Sequence, residues 1–102
     1  MKVYVAGRIE GLDAVEAKKG FVKAELRLRN QGHEAMSPKG LADYSWLDGD
    51  GLAHIRHAMI DECDAVWLPK DWKGSKEMTD DYYYAKEWRK EVLREDETAK
   101  EE

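Results

Sequence analysis

A three-layer α/β domain is the fold class this sequence predicts, and three observations lead to it. Two short stretches, KVYVA (2–6) and DAVWLP (64–69), are β-branched or apolar almost without a break, the pattern of strands covered on both faces. Helical periodicity fills the spaces between and after them, and turn-forming residues close each stretch. The chain has 102 residues, the size of one small domain with a modest core.

The elements follow in order. The first strand is KVYVA, ending at Gly7. Ala14, Ala17, Phe21, Ala24 and Leu28 then recur at intervals of three and four, which predicts a long helix stopping near Asn30–Gly32. HEAM (33–36) reads as a second strand closed by Ser37–Pro38. Residues 37–50 hold Pro, Gly and Asp with two exposed aromatics, Tyr44 and Trp46; this is a covering loop with at most a helical turn. A second helix fits 51–62, with Leu52, Ile55 and Met59 on one face. DAVWLP is the third strand. The third helix starts after Ser75, a good N-cap, and turns Met78, Tyr82, Ala85 and Trp88 inward. Beyond Trp88 the helix could continue, or EVLRE (91–95) could form an edge strand; the strand is the preferred reading.

The sum, β-α-β-(α)-β-α-(β), predicts a small Rossmann/flavodoxin-like parallel sheet of three to four strands with helices on both faces. Ligands of such sheets sit beyond the carboxyl ends of the strands, where the strand order reverses. Here those ends are Gly7–Arg8, Ser37–Pro38 and Pro69–Ser75. The domain is expected over residues 1–93, with 94–102 (REDETAKEE) a frayed acidic tail.

Composition excludes several roles. A formal charge of −5 disfavours duplex nucleic acid, whose binding rests on Lys and Arg neutralising phosphates. No apolar run approaches membrane-spanning length, and MKVYVAGRIEG lacks the apolar block of a secretory signal. The lone Cys63 cannot form an internal disulfide, so a reducing, cytoplasmic setting is expected. At the mouth of a strand it reads as a small buried hydrophobe rather than a nucleophile. His54, His57 and Asp61 share one helical face. Lacking a fourth ligand, they read as a polar surface, and neither metal nor cofactor is expected.

Five pieces of the chain, in order, carry a resemblance. They are Tyr4-Val5-Ala6-Gly7-Arg8; Gly32-His33-Glu34 with Ser37-Pro38; Cys63-Asp64-Ala65-Val66; Trp72-Lys73-Gly74-Ser75; and Asp81-Tyr82-Tyr83-Tyr84-Ala85. Together they resemble the nucleoside 2-deoxyribosyltransferase-like family, particularly its short phage and bacterial members, over roughly residues 2–93. The resemblance implies cleavage or transfer at the N-glycosidic bond of deoxynucleosides or their monophosphates. In that chemistry a carboxylate traps the oxocarbenium-like sugar and a second acid protonates the departing base.

Carried over by position, Asp81 falls at the nucleophile, where the family has a Glu one methylene longer. Tyr4 would support it. Gly7, Arg8, Trp72 and Ser75 would border the substrate, with Ser75 and Arg8 at its 5′ end. The acid's position, eight before Asp64, is Arg56, which cannot protonate a base; it could pair with Asp81 or grip a phosphate. Arg8 replaces the family's proline, and Glu77-Met78 stand where small residues usually admit the ligand. The bland readings are a solvated Asp81 near a helix N-terminus, a surface Asp80, a core Tyr4, surface ion pairs for Arg8 and Arg56, and Ser75 as a simple cap.

The resemblance favours an N-glycosidase or transferase; the replaced acid favours a nucleotide-binding module that keeps the pocket without the chemistry. Tyr82, Tyr83, Tyr84 and Trp88 spread aromatic rings over more than one side of the third helix, which suggests a homo-oligomer formed through it.

Overall fold

A computed structural model describes residues 1–95. Among them a four-stranded sheet runs in the order β2-β1-β3-β4, with every neighbouring pair parallel. The strands are β1 (Lys2–Val5), β2 (Glu34–Met36), β3 (Ala65–Leu68) and β4 (Glu91–Arg94). The helices are α1 (Ala14–Asn30), α2 (Gly49–Asp61) and α3 (Lys76–Glu87). Short 3-10 turns occupy Lys39–Asp43 and Trp72–Gly74. The α/β class and parallel sheet are as the sequence predicts, and EVLR is indeed an edge strand.

Caps set the helix limits. Asp13 accepts from the backbone N–H of Val15 and Glu16, Asp48 from Gly51, and Ser75 from Met78. At its other end α1 closes with Gly32 at φ 91°. Gly32 donates to the Arg29 carbonyl and His33 to that of Leu28, a Schellman closure. The same pattern ends α3, where Arg89 donates to Lys86 and Lys90 to Ala85. There the left-handed position, φ 58°, holds Arg89 instead of a glycine.

Alternation along the strands divides the core in two. Val3, Val5, Ala65 and Trp67 pack against Phe21, Ala24 and Leu28 of α1. Tyr4, Ala6, Val66 and Leu68 pack on the opposite face against Ile60 of α2 and Met78 and Ala85 of α3. The turn at Lys39–Asp43 brings Leu41 and Ala42 against the α1-side cluster. Trp46, 77% exposed, lies edge to face against Tyr44.

Three expectations need correction. Ile55 is 38% exposed, and the inward row of α2 is Leu52, Arg56 and Ile60; the true four-residue spacing was masked because its central member is charged. Trp88 is 59% exposed: α3 ends at Glu87, so the indole leaves the inward stripe as the backbone turns toward β4. Arg94 belongs to β4 rather than to a tail, and Glu95 accepts from the Lys70 N–H at 2.9 Å. The rest of the proposed tail lies outside the described residues.

Candidate functional site

Strand order reverses between β1 and β3, and a hollow of about 450 Å³ opens beyond their carboxyl ends. That is where an open parallel sheet presents its ligand crevice. Ala6, Gly7 and Arg8 form one side, Trp67, Pro69 and Asp71 another, and α1 supplies Phe21 and Lys23. Gly7 is required by close approach: a side chain there would strike the ring of Phe21. Arg8, Lys23 and Arg27 bring positive charge, while Glu16, Asp71 and Glu95 bring carboxylates. Arg27 is engaged with Glu95 at 3.7 Å, and Arg8 is steadied by donating from Nε to the Glu10 carbonyl at 2.8 Å. Trp67 is nearly buried, and its Nε1 has no hydrogen-bond partner among the described residues.

A second polar cluster lies on the α2–α3 face of the sheet. Asp81 is fully buried. Arg56 donates from Nη1 to Asp81 Oδ1 at 2.7 Å and to the Glu77 carbonyl at 2.8 Å. The Tyr4 hydroxyl lies 3.4 Å from Asp81 Oδ2. Toward the surface, Arg56 Nη2 and His57 Nε2 both reach Asp80 Oδ2, at 3.3 and 2.7 Å. The sequence thus placed Tyr4, Arg56 and Asp81 together, and pairing with Asp81 is the fate Arg56 adopts. It is a buried pair rather than a surface one, and Asp81 is not solvated.

Burial raises the Asp81 carboxyl from its ordinary range to about 7, against the opposing pull of Arg56. Burial likewise pushes the Tyr4 phenol upward, and neighbouring Asp81 adds to it. For Arg56, burial works downward but Asp81, Tyr4 and Asp80 outweigh it, leaving the guanidinium above its usual value. A cation held this firmly cannot serve as the proton donor that N-glycosidic cleavage needs.

Glu77 was read only as a bulky obstruction, yet it organises the loop after β1. Its carboxylate accepts from the backbone N–H of Ile9, at 3.0 and 3.2 Å to its two oxygens, and of Glu10 at 3.0 Å. Those amides, otherwise suited to an anionic ligand, are occupied from within the chain. Ser75 caps α3, and Trp72 lies half-buried on Tyr82 with ring centroids 4.6 Å apart. Of the expected substrate-facing residues, Gly7 and Arg8 line the hollow; Arg56, Trp72, Ser75 and Asp81 do not. Arg8 and Ser75 do share a shallower depression with Glu77.

Other polar features fall into place as structure. His57 stacks on Tyr84 at 3.9 Å, and the Tyr84 hydroxyl donates to Asp61 at 2.6 Å. This splits the face shared by His54, His57 and Asp61, and the closest metal-like grouping among the described residues is His57, Asp80 and Asp81. Its two carboxylates are already bridged by the Arg56 guanidinium. Buried Glu25, absent from the sequence-based site, accepts from Ser37 and Lys39 and pairs with Arg29, anchoring the end of β2 to α1. Cys63 is a buried free thiol whose acidity burial lowers.

No helix among the described residues is long and apolar enough to cross a membrane. No curated protein and no solved structure matches the chain. A family model does match, over residues 1–94, nearly everything built into the sheet and both polar clusters. On that match the chain belongs to the DUF4406 family, a domain of unknown function.

Proposed function

We propose that the protein is a small nucleotide-binding module of deoxyribosyltransferase-like character, working in a reducing, cytoplasmic setting. Its ligand, a deoxynucleoside or its monophosphate, lies in the hollow at the β1–β3 switch point. The observation that carries this reading is the composition of that hollow. Phe21, Trp67 and Met78 offer apolar walls for a base, Arg8 and Lys23 offer charge for a phosphate, and Glu16 and Asp71 can accept from sugar hydroxyls. The buried Tyr4–Asp81–Arg56 cluster then braces α2 and α3 against the sheet, and the ligand need not touch it.

A second reading, hydrolysis or base transfer at the N-glycosidic bond with Asp81 as nucleophile, draws on the approach of Tyr4 to Asp81. Two facts weigh against it. Asp81 does not line the hollow, and its carboxyl is engaged by Arg56. Attack on the sugar would need that pair to open and another group to protonate the base.

Calorimetric titration with each deoxynucleoside and its monophosphate tests the first reading, alongside chromatography for released base. Saturable binding without base release is expected, weakened about tenfold by Arg8→Ala through loss of a charge-assisted contact. Absence of binding to every compound at millimolar concentration refutes the module. Base release that Asp81→Asn abolishes would instead establish the second reading.

A further inference from the structure

One corner of the protein joins adjoining aromatic rings to cations that the fold leaves unused. The 3-10 turn at Trp72–Gly74 sets Trp72 on Tyr82 with ring centroids 4.6 Å apart, and Tyr83 meets Tyr82 edge to face at 5.2 Å. Tyr83 is 65% exposed, while Trp72 and Tyr82 are half-buried at the rim of the α3-side core. None of the three lines the hollow. Tyr84 leans the other way, onto His57.

The cations are Lys73, Lys76 and Lys86. Elsewhere Lys18 is engaged with Asp43, Lys39 with Glu25, and Lys90 with the carbonyls of Asp61 and Cys63. Lys73, Lys76 and Lys86 are exposed, and none of them pairs with a carboxylate among the described residues. Lys73 Nζ instead stands 5.7 Å from the centre of the Trp72 ring, over its face. Lys86 follows Tyr82 by four residues and Tyr83 by three, so it borders both on the helix surface. At the helical repeat, Asp80 and Glu87 fall on the other side of Tyr83, toward Tyr84. Asp80 is also committed to Arg56 and His57.

Rings beside unspent ammonium groups suit an anionic chain that carries flat apolar units, because bases stack on the rings while phosphates meet the lysines. An acidic peptide would use the cations but brings no series of flat faces. A duplex keeps its base faces stacked within itself. We propose that this corner binds single-stranded nucleic acid without sequence preference, a base stacking on Tyr83 and its neighbour on the Trp72–Tyr82 pair, with Lys73, Lys76 and Lys86 holding the phosphates. The net charge of −5 belongs to the whole surface; this corner is locally cationic, so binding is modest in strength and sensitive to salt.

Fluorescence anisotropy with labelled oligothymidylate about 15 nucleotides long tests this. Saturable binding is expected below about 100 μM protein at low salt, with a log–log salt slope near −2 from about three neutralised phosphates. Tyr83→Ala should weaken it about tenfold or more, whereas Tyr83→Phe, which keeps the ring, should restore it. Lys86→Ala should reduce the slope by about 0.7, and Lys19→Ala on α1 should leave it unchanged. A duplex of the same length should bind about tenfold more weakly, and inorganic polyphosphate, charged but without bases, should compete poorly. Oligouridylate should bind comparably, since stacking and phosphate contacts do not read the sugar. Absence of binding to every strand overturns the proposal and leaves the corner to a protein partner. Equal affinity for duplex, full affinity in Tyr83→Ala, or a preference above about tenfold for either sugar overturns it as well. The nucleotide in the hollow is measured separately, and neither outcome there decides this one.

Discussion

Replacing Asp81 by Asn tests whether burial or the Arg56 guanidinium governs the buried cluster. At an effective dielectric near 20, a pair of unit charges about 4 Å apart gains about 4 kcal/mol. Removing each ion from water costs several kcal/mol, so the two effects are of similar size. In the native protein burial prevails and the carboxyl stands near 7. In the unfolded chain it titrates near its ordinary value of 3.8.

Between these values the native state holds a proton that the unfolded state has released, so stability falls as pH rises. The contribution is fully present below about pH 4 and lost by about pH 7. The difference is about three pH units, on the order of 4 kcal/mol. Urea unfolding followed by tryptophan fluorescence, for wild type and Asp81→Asn at matched pH, isolates this quantity, since titrations unaffected by the substitution cancel in the difference. Wild-type stability relative to the variant should drop by that amount from pH 4 to 7. A relative stability that rises over the same interval would mean that Arg56 keeps Asp81 ionised throughout, and would refute the reasoning.

Other substitutions probe separate links. Arg89→Gly should raise stability by about 0.5–1 kcal/mol in urea unfolding, since a left-handed residue with a Cβ is strained and α1 makes the same closure with Gly32. Gly7→Ala should destabilise by about 1–3 kcal/mol by forcing Phe21 aside, and should weaken any ligand in the hollow. Glu77→Ala removes the acceptor for the Ile9 and Glu10 amides and should cost about 2–4 kcal/mol; amide exchange of those two residues should accelerate, and unchanged protection would argue against the assigned role.

The parallel sheet was legible because KVYVA and DAVWLP are apolar on both faces, and no half-exposed strand reads that way. Ser75 was legible as a cap from its place before a periodic run. Arg56 was harder. Its four-residue spacing from Leu52 and Ile60 is a true inward row, but a charged residue scores as outward in any polarity pattern. Pairing with Asp81, 25 residues on, together with the Glu77 carbonyl and Asp80, makes its burial tolerable. Glu77 and Glu25 were missed for the same reason: their partners are backbone amides and side chains brought near by folding alone. The resemblance drew Tyr4, Arg56 and Asp81 into one expected site, and in the structure the three side chains do lie together, but spacing along a chain does not say on which face of a sheet a cavity will open.

Because Glu77 already fills the amide cradle after β1, the loop bordering the hollow takes its shape before anything binds. On the proposed reading, a ligand arriving there would meet a preorganised wall and bear little entropic cost of ordering it. Its association should therefore be fast, with a heat-capacity change no larger than the surface it covers, and without the excess that marks folding coupled to binding.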